Sequence, residues 1–162
     1  MFTNLDLSYS TRMLREEAML VHYKPFETGR KTGSWFDHAP TWLIGRVNDS
    51  RLCTEVHRLK RLIEKVVGTG DAKPRYYRQK KSSEVPWHSG MNTKCCVNII
   101  LSDEAAPIVF EDFGEVSYKC ALLDTTKRHM VPSFEAERLL LKFSIFDRTY
   151  EEARDALKSY VL

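Results

Sequence analysis

PWHSGMNTKCCVNIIL, residues 86–101, is the stretch on which the fold turns. His88 stands at the end of a loop, directly before an apolar run with the β-branched content of a strand. A histidine so placed can present a metal ligand at the mouth of a barrel, or it can be only a polar residue at a strand end. A carboxylate two residues on would favour the first reading, but Gly90 occupies that position. Cys95 and Cys96 open the strand and must point to opposite faces of its sheet.

The pattern set by this strand continues on both sides. After Gly70, the segments PRYYRQK, KCCVNIIL, PIVFED, VSYKCALLD and ERLLLKFSIF all read as strands, separated by Gly, Pro, Ser, Asn and Asp. No second clear helix interrupts them. That order predicts an α+β, mostly β arrangement: an antiparallel sandwich or barrel packed against an earlier helix.

The earlier helix is the clearest element of the chain. Over residues 49–67, Leu52, Val56, Leu59, Ile63 and Val66 form one apolar stripe, Asp49 or Ser50 can cap the start, and Gly68 ends it. STRMLREEAML reads as a short helix capped by Ser10 or Thr11. LVHYKPF and TWLIGRV read as strands, with the loop GRKTGSWFDHAP between them. That loop is a plausible lid carrying Trp35 and His38, and Asp37 with His38 is a rival ligand pair. At the other end, Thr149 and Glu152 have capping-box spacing, which predicts a terminal helix over 149–161.

Length and composition set the frame. A chain of 162 residues with 43% apolar content suits one domain, 1–162, with a β core over 74–146. No apolar run approaches the roughly 20 residues that span a bilayer. The first residues do not read as a secretory signal. The net charge of +3 does not by itself imply a nucleic-acid partner. Cys53, Cys95, Cys96 and Cys120 match no zinc spacing and read as reduced thiols, which fits a cytoplasmic protein.

Three residues carry the candidate chemistry. His88 precedes one strand, and His129 follows another, in TTKRHMVPSFEAERLLLKFSIF. Two imidazoles at strand ends can converge on Fe, Zn, Cu or Ni, and spacing alone leaves that open. Arg138 begins the next strand, nine positions after His129. Alternation puts Arg138, Leu140, Lys142 and Ser144 on one face, and Leu139, Leu141, Phe143 and Ile145 on the other. Arg138 could grip a dicarboxylate, or pair locally with Glu135 or Glu137.

At these residues the chain resembles the iron(II)- and 2-oxoglutarate-dependent oxygenases. The resemblance covers roughly residues 74–146. It implies a double-stranded β-helix, the jelly-roll or cupin-like barrel, with flanking helices. It also implies Fe(II) as cofactor, 2-oxoglutarate as cosubstrate, and hydroxylation of a C–H bond coupled to succinate formation. His88 matches the first iron-binding histidine, His129 the second, and Arg138 the residue that binds the far carboxylate of 2-oxoglutarate. Gly90 departs from the usual H-x-D/E pattern. HSGMNTKC is similar instead to the aspartyl/asparaginyl β-hydroxylase branch, in which glycine replaces the acid and two histidines hold iron.

Halogenases of the superfamily also lack the acid, so hydroxylation and halogenation both remain open at this stage. Asn98 falls at a polar inner-face position of the family. Cys96 stands where that branch has arginine. Tyr77 resembles a tyrosine that hydrogen-bonds 2-oxoglutarate. The expected substrate is a side chain of a peptide or protein, with a small molecule as a second possibility.

Two other readings compete. One is a non-catalytic β-helix module that binds a ligand in the same hollow. The other treats KPRYYRQKK, residues 73–81, as a basic patch for nucleic acid, against the plainer reading of a solvated edge strand. Nucleic acid is not the expected partner.

Overall fold

A computed structural model of the chain describes residues 1–25, 42–46, 53–90 and 92–162. The elements run β1 (Phe2–Asn4), α1 (Thr11–Leu20), β2 (Tyr23–Pro25), β3 (Trp42–Gly45), α2 (Thr54–Val67), β4 (Lys73–Gln79), β5 (Val85–His88) and β6 (Cys95–Ile100). They continue with β7 (Ile108–Phe110), β8 (Gly114–Val116), β9 (Cys120–Leu123), β10 (His129–Val131), β11 (Arg138–Ile145) and α3 (Tyr150–Ala156), followed by a 3-10 turn at Lys158–Tyr160.

The strands form two antiparallel sheets. The larger has the order β1-β9-β6-β11-β4-β3-β2, and the smaller β5-β10-β7-β8. Alternation sorts the side chains of the large sheet. Cys95, Val97, Ile99, Leu141, Phe143 and Ile145 face the helices and join a core with Leu14, Val56, Leu59, Ile63 and Leu157. Cys96, Ala121 and Leu123 face the small sheet and pack on Val85, Ile108, Phe110 and Val131. The adjacent cysteines therefore serve two different cores, and all four cysteines are free thiols.

Local signals explain the element ends. The Ser10 side chain accepts from the Met13 amide at 3.3 Å and caps α1. Gly68 closes α2 at φ +70°, a conformation that costs glycine no Cβ clash. Thr149 and Glu152 form the capping box of α3.

Some expectations are adjusted. The described part of α2 starts at Thr54 with Cys53 as N-cap, and Asp49, Ser50 and Leu52 lie outside the described residues. Val67 rather than Val66 is the buried member of its last turn. The helix expected over 149–161 is α-helical only to Ala156, and then tightens into the 3-10 turn. VSYKCALLD is not one strand: β8 ends at Val116 and β9 begins at Cys120. Residues 73–81 do not form an edge strand, because β4 lies between β11 and β3. The first third adds three strands to the large sheet, of which β1 carries no sequence signal of its own. Among the described residues, no helix is long and apolar enough to cross a membrane.

Candidate functional site

β5 and β10 are antiparallel neighbours, and their register makes His129 the cross-strand partner of His88. The ring centroids lie 4.3 Å apart, with the planes inclined by 57°. Each ring is tied to its own chain. His88 Nδ1 lies 2.8 Å from the Pro86 carbonyl oxygen, and His129 Nδ1 lies 2.7 Å from that of Lys127. A carbonyl only accepts, so each Nδ1 carries the proton and the lone pair sits on Nε2. That tautomer is the one in which imidazole ligates a metal through Nε2.

Both histidines are held neutral. Burial pushes His88 down to about 4 and His129 to about 3, with the positive fields of His88 and Lys142 adding to the effect at His129. A neutral imidazole is also the form that binds metal. Among the described residues, no group of three His, Cys, Asp or Glu side chains gathers anywhere.

Arg138 starts β11 and is 5% exposed. It pairs with neither Glu135 nor Glu137: Arg78 takes the Glu137 carboxylate at 2.8 Å, and Lys81 approaches Glu135 at 3.9 Å. Instead, Arg138 Nη2 donates to the Tyr118 hydroxyl at 2.8 Å. Its Nε is buried without a hydrogen-bond partner among the described residues. A buried guanidinium N–H left unmet costs about 1–3 kcal/mol, more for a charged group, and an incoming carboxylate would relieve it. The residues present therefore fit a dicarboxylate cosubstrate and a metal on the histidine pair.

Asn98 lies on the same inner face and donates from Nδ2 to the Tyr118 hydroxyl at 3.0 Å. Tyr118 thus braces Arg138 and Asn98 together, a role that sequence reading missed. Its only sequence signal is an aromatic residue within VSYKCALLD. The Cys96 thiol donates to Asn98 Oδ1 at 3.3 Å, and burial pushes its pKa up, so it stays uncharged. Tyr77 also faces inward and stacks on Trp42 at 5.4 Å.

Two hollows have both histidines in their walls. The inner one, about 50 Å³, is lined by Tyr77, Asn98, Arg138 and Lys142 beside both imidazoles, and has room for the carboxylate end of a small acid. The outer one, about 330 Å³, opens past Gly90 and Thr125 between Lys73, Arg75 and Lys142. At Gly90, a Cβ would lie 3.0 Å from the Thr125 carbonyl oxygen, a tight contact that Thr125 would have to relieve by a few tenths of an ångström. The rival pair Asp37 and His38, together with Trp35, lies outside the described residues. The basic stretch 73–81 is divided: Lys73 and Arg75 face the outer hollow, while Arg78 and Lys81 meet Glu137 and Glu135.

No family model and no curated protein matches the chain. Solved structures do match. A prolyl hydroxylase from Trichoplax adhaerens, in complex with a peptide of hypoxia inducible factor, superposes with a TM-score of 0.68 at 14% identity, over 96% of this chain and 85% of the other. A Pseudomonas putida prolyl-4-hydroxylase gives 0.63 at 12% identity, over 91% and 92%. HygX from Streptomyces hygroscopicus, with nickel, 2-oxoglutarate and hygromycin B bound, gives 0.58 at 12% identity, over 93% and 84%. The fold of this chain is accordingly the double-stranded β-helix, α+β and mostly β, with flanking helices.

Proposed function

We propose that this chain is an Fe(II)- and 2-oxoglutarate-dependent oxygenase that hydroxylates a side chain, with His88 and His129 as its metal ligands and no carboxylate in the set. One observation carries the reading. The two neutral imidazoles lie 4.3 Å apart and line both hollows, and Arg138, whose buried Nε has no partner among the described residues, lines the inner one. The fold-level likeness to 2-oxoglutarate oxygenases of 12–14% identity supports it.

The chain's own residues divide the work. His88 and His129 would hold the metal through Nε2, kept in that tautomer by the Pro86 and Lys127 carbonyls. Arg138 would pair with the distal carboxylate of 2-oxoglutarate, braced by Tyr118 and accompanied by Asn98 and Tyr77. Trp42 and Tyr77 stack on each other and line both hollows as an apolar wall. When bound, iron and 2-oxoglutarate supply the oxidising power for C–H hydroxylation, with succinate and carbon dioxide as coproducts.

The HSGMNTKC segment inclines the reading to the aspartyl/asparaginyl β-hydroxylase type of site. A peptide or protein side chain is the favoured substrate, since the Trichoplax neighbour carries a bound peptide. A small molecule is the second choice, since HygX carries hygromycin B. Anaerobic calorimetry with Mn(II) and 2-oxoglutarate, followed by succinate formation against a peptide library, tests the proposal. Binding of both, abolished in His129→Ala, is the expected result. Absence of 2-oxoglutarate binding would instead favour a non-catalytic ligand-binding module.

A further inference from the structure

The outer hollow carries positive charge that the proposed chemistry does not use. Arg75 of β4 and Lys142 of β11 are cross-strand partners, and both line it. Like charges directly opposite on neighbouring strands repel. Among the described residues, no Asp or Glu lines this hollow, and neither Arg75 nor Lys142 forms an ion pair. Lys73, also at the wall, has Asp71 at 3.8 Å. Lys142 lies 5.7 Å from the centre of the Tyr77 ring, a contact that leaves its charge uncompensated.

Loading the site does not cancel this charge. With the proposed groups bound, the two positive charges of the metal would be matched by the two negative charges of 2-oxoglutarate, while the histidines are neutral and Gly90 brings no charge. Arg75 and Lys142 therefore remain as a matched pair of cations. The hydroxyl-bearing Thr93 and Ser144 share their hollow as further donors.

We propose that the outer hollow holds a dianionic oxyanion group of the phosphate monoester class, carried by the substrate and gripped between Arg75 and Lys142. The proposal rests on the oxygenase reading for the word substrate, though not for the binding itself. The group could belong to a phosphorylated small molecule or to a phosphoserine side chain, and the chemistry of recognition is the same.

The test is anaerobic calorimetry on the full chain, with and without Mn(II) and 2-oxoglutarate. The probes are inorganic phosphate, N-acetyl-phosphoserine amide, a phosphoserine peptide and the monoanion N-acetyl-aspartate amide. The phosphate monoesters should bind about tenfold tighter than the aspartate probe, a difference of about 1.4 kcal/mol. Arg75→Gln and Lys142→Met should each remove that preference, while Arg75→Gln leaves 2-oxoglutarate affinity unchanged. A peptide that outbinds the free phosphoserine probe points to a protein source, and equal binding points to a small molecule. Equal affinity for aspartate and phosphoserine overturns the proposal, as does phosphate binding that is indifferent to both substitutions. If phosphate binds and responds to Arg75→Gln but 2-oxoglutarate does not bind, the oxygenase reading falls and the oxyanion site stands.

Discussion

The amide of Gly90 donates to the carbonyl of Thr125 at 2.6 Å, and the Thr125 hydroxyl in turn donates to the carbonyl of Thr93 at 2.8 Å. These bonds fasten the loop after His88 to the turn before His129. They also crowd the niche into which a side chain at position 90 would project: an added Cβ would lie 3.1 Å from both Cβ and Oγ1 of Thr125. Glycine here suits the close approach of the two turns.

Gly90→Asp should therefore not create a three-ligand site. The carboxylate would have to displace Thr125, at a cost of about 1–3 kcal/mol from overpacking. Thermal melts of Gly90→Ala and Gly90→Asp should both fall, and Mn(II) titration of Gly90→Asp should show no gain over the parent chain. A rise in affinity would mean that the turn yields easily.

Acid should destabilise the apo fold through the histidine pair. The unfolded chain takes up protons on these groups below about pH 6.5, whereas the folded chain resists until about 4 at His88 and about 3 at His129. Their contribution is complete above about 6.5 and is lost progressively as the pH falls, through about 4 at His88 and about 3 at His129. The expected slope is about 2 kcal/mol per pH unit for the two together. Urea melts of the parent chain and of His88→Gln/His129→Gln between pH 7 and 4 compare the slopes, and the double variant should be flatter.

Metal affinity should depend on the cosubstrate more than it does in a three-ligand site, because two neutral imidazoles bring no negative charge to the ion. Anaerobic Fe(II) titrations with and without 2-oxoglutarate are expected to differ by more than about tenfold. Equal affinities would count against the two-histidine proposal.

Tyr118→Phe removes the oxygen that receives both Arg138 Nη2 and Asn98 Nδ2. Two donors lose their acceptor, so 2-oxoglutarate binding should weaken by about 1–3 kcal/mol while metal binding alone is spared. Arg138→Ala should cost more, since it removes the cation itself. Calorimetry on the two variants and the parent orders the three affinities.

A substitution on the other face of β11 separates stability from the site. Phe143 is fully buried among the helices, whereas Lys142 beside it faces the hollows. Phe143→Ala should lower unfolding free energy by about 3–5 kcal/mol. In whatever fraction stays folded, 2-oxoglutarate affinity should be unchanged.

Alternation along β11 was fully legible: Arg138, Leu140, Lys142 and Ser144 take the inner face, as a period of two requires. The opposed faces of Cys95 and Cys96, the Ser10 cap and the Thr149 capping box were equally readable, because each depends on neighbours within a few positions. Tyr118 was not readable. Its partners lie 20 positions away in each direction, and nothing local marks a tyrosine that braces an arginine across a sheet. The same applies to Thr125, whose fit against Gly90 exists only once two turns have met. β1 escaped because Phe2–Asn4 becomes a strand only by pairing with β9.

The anchoring of both imidazoles to main-chain oxygens two residues upstream has a consequence for drift over evolutionary time. Ring planes set in part by the chain's own carbonyls take one of their constraints from the backbone. That constraint persists when a surrounding side chain is exchanged, one lineage after another. A pocket built this way can change what it accepts long before it forgets how to face inward.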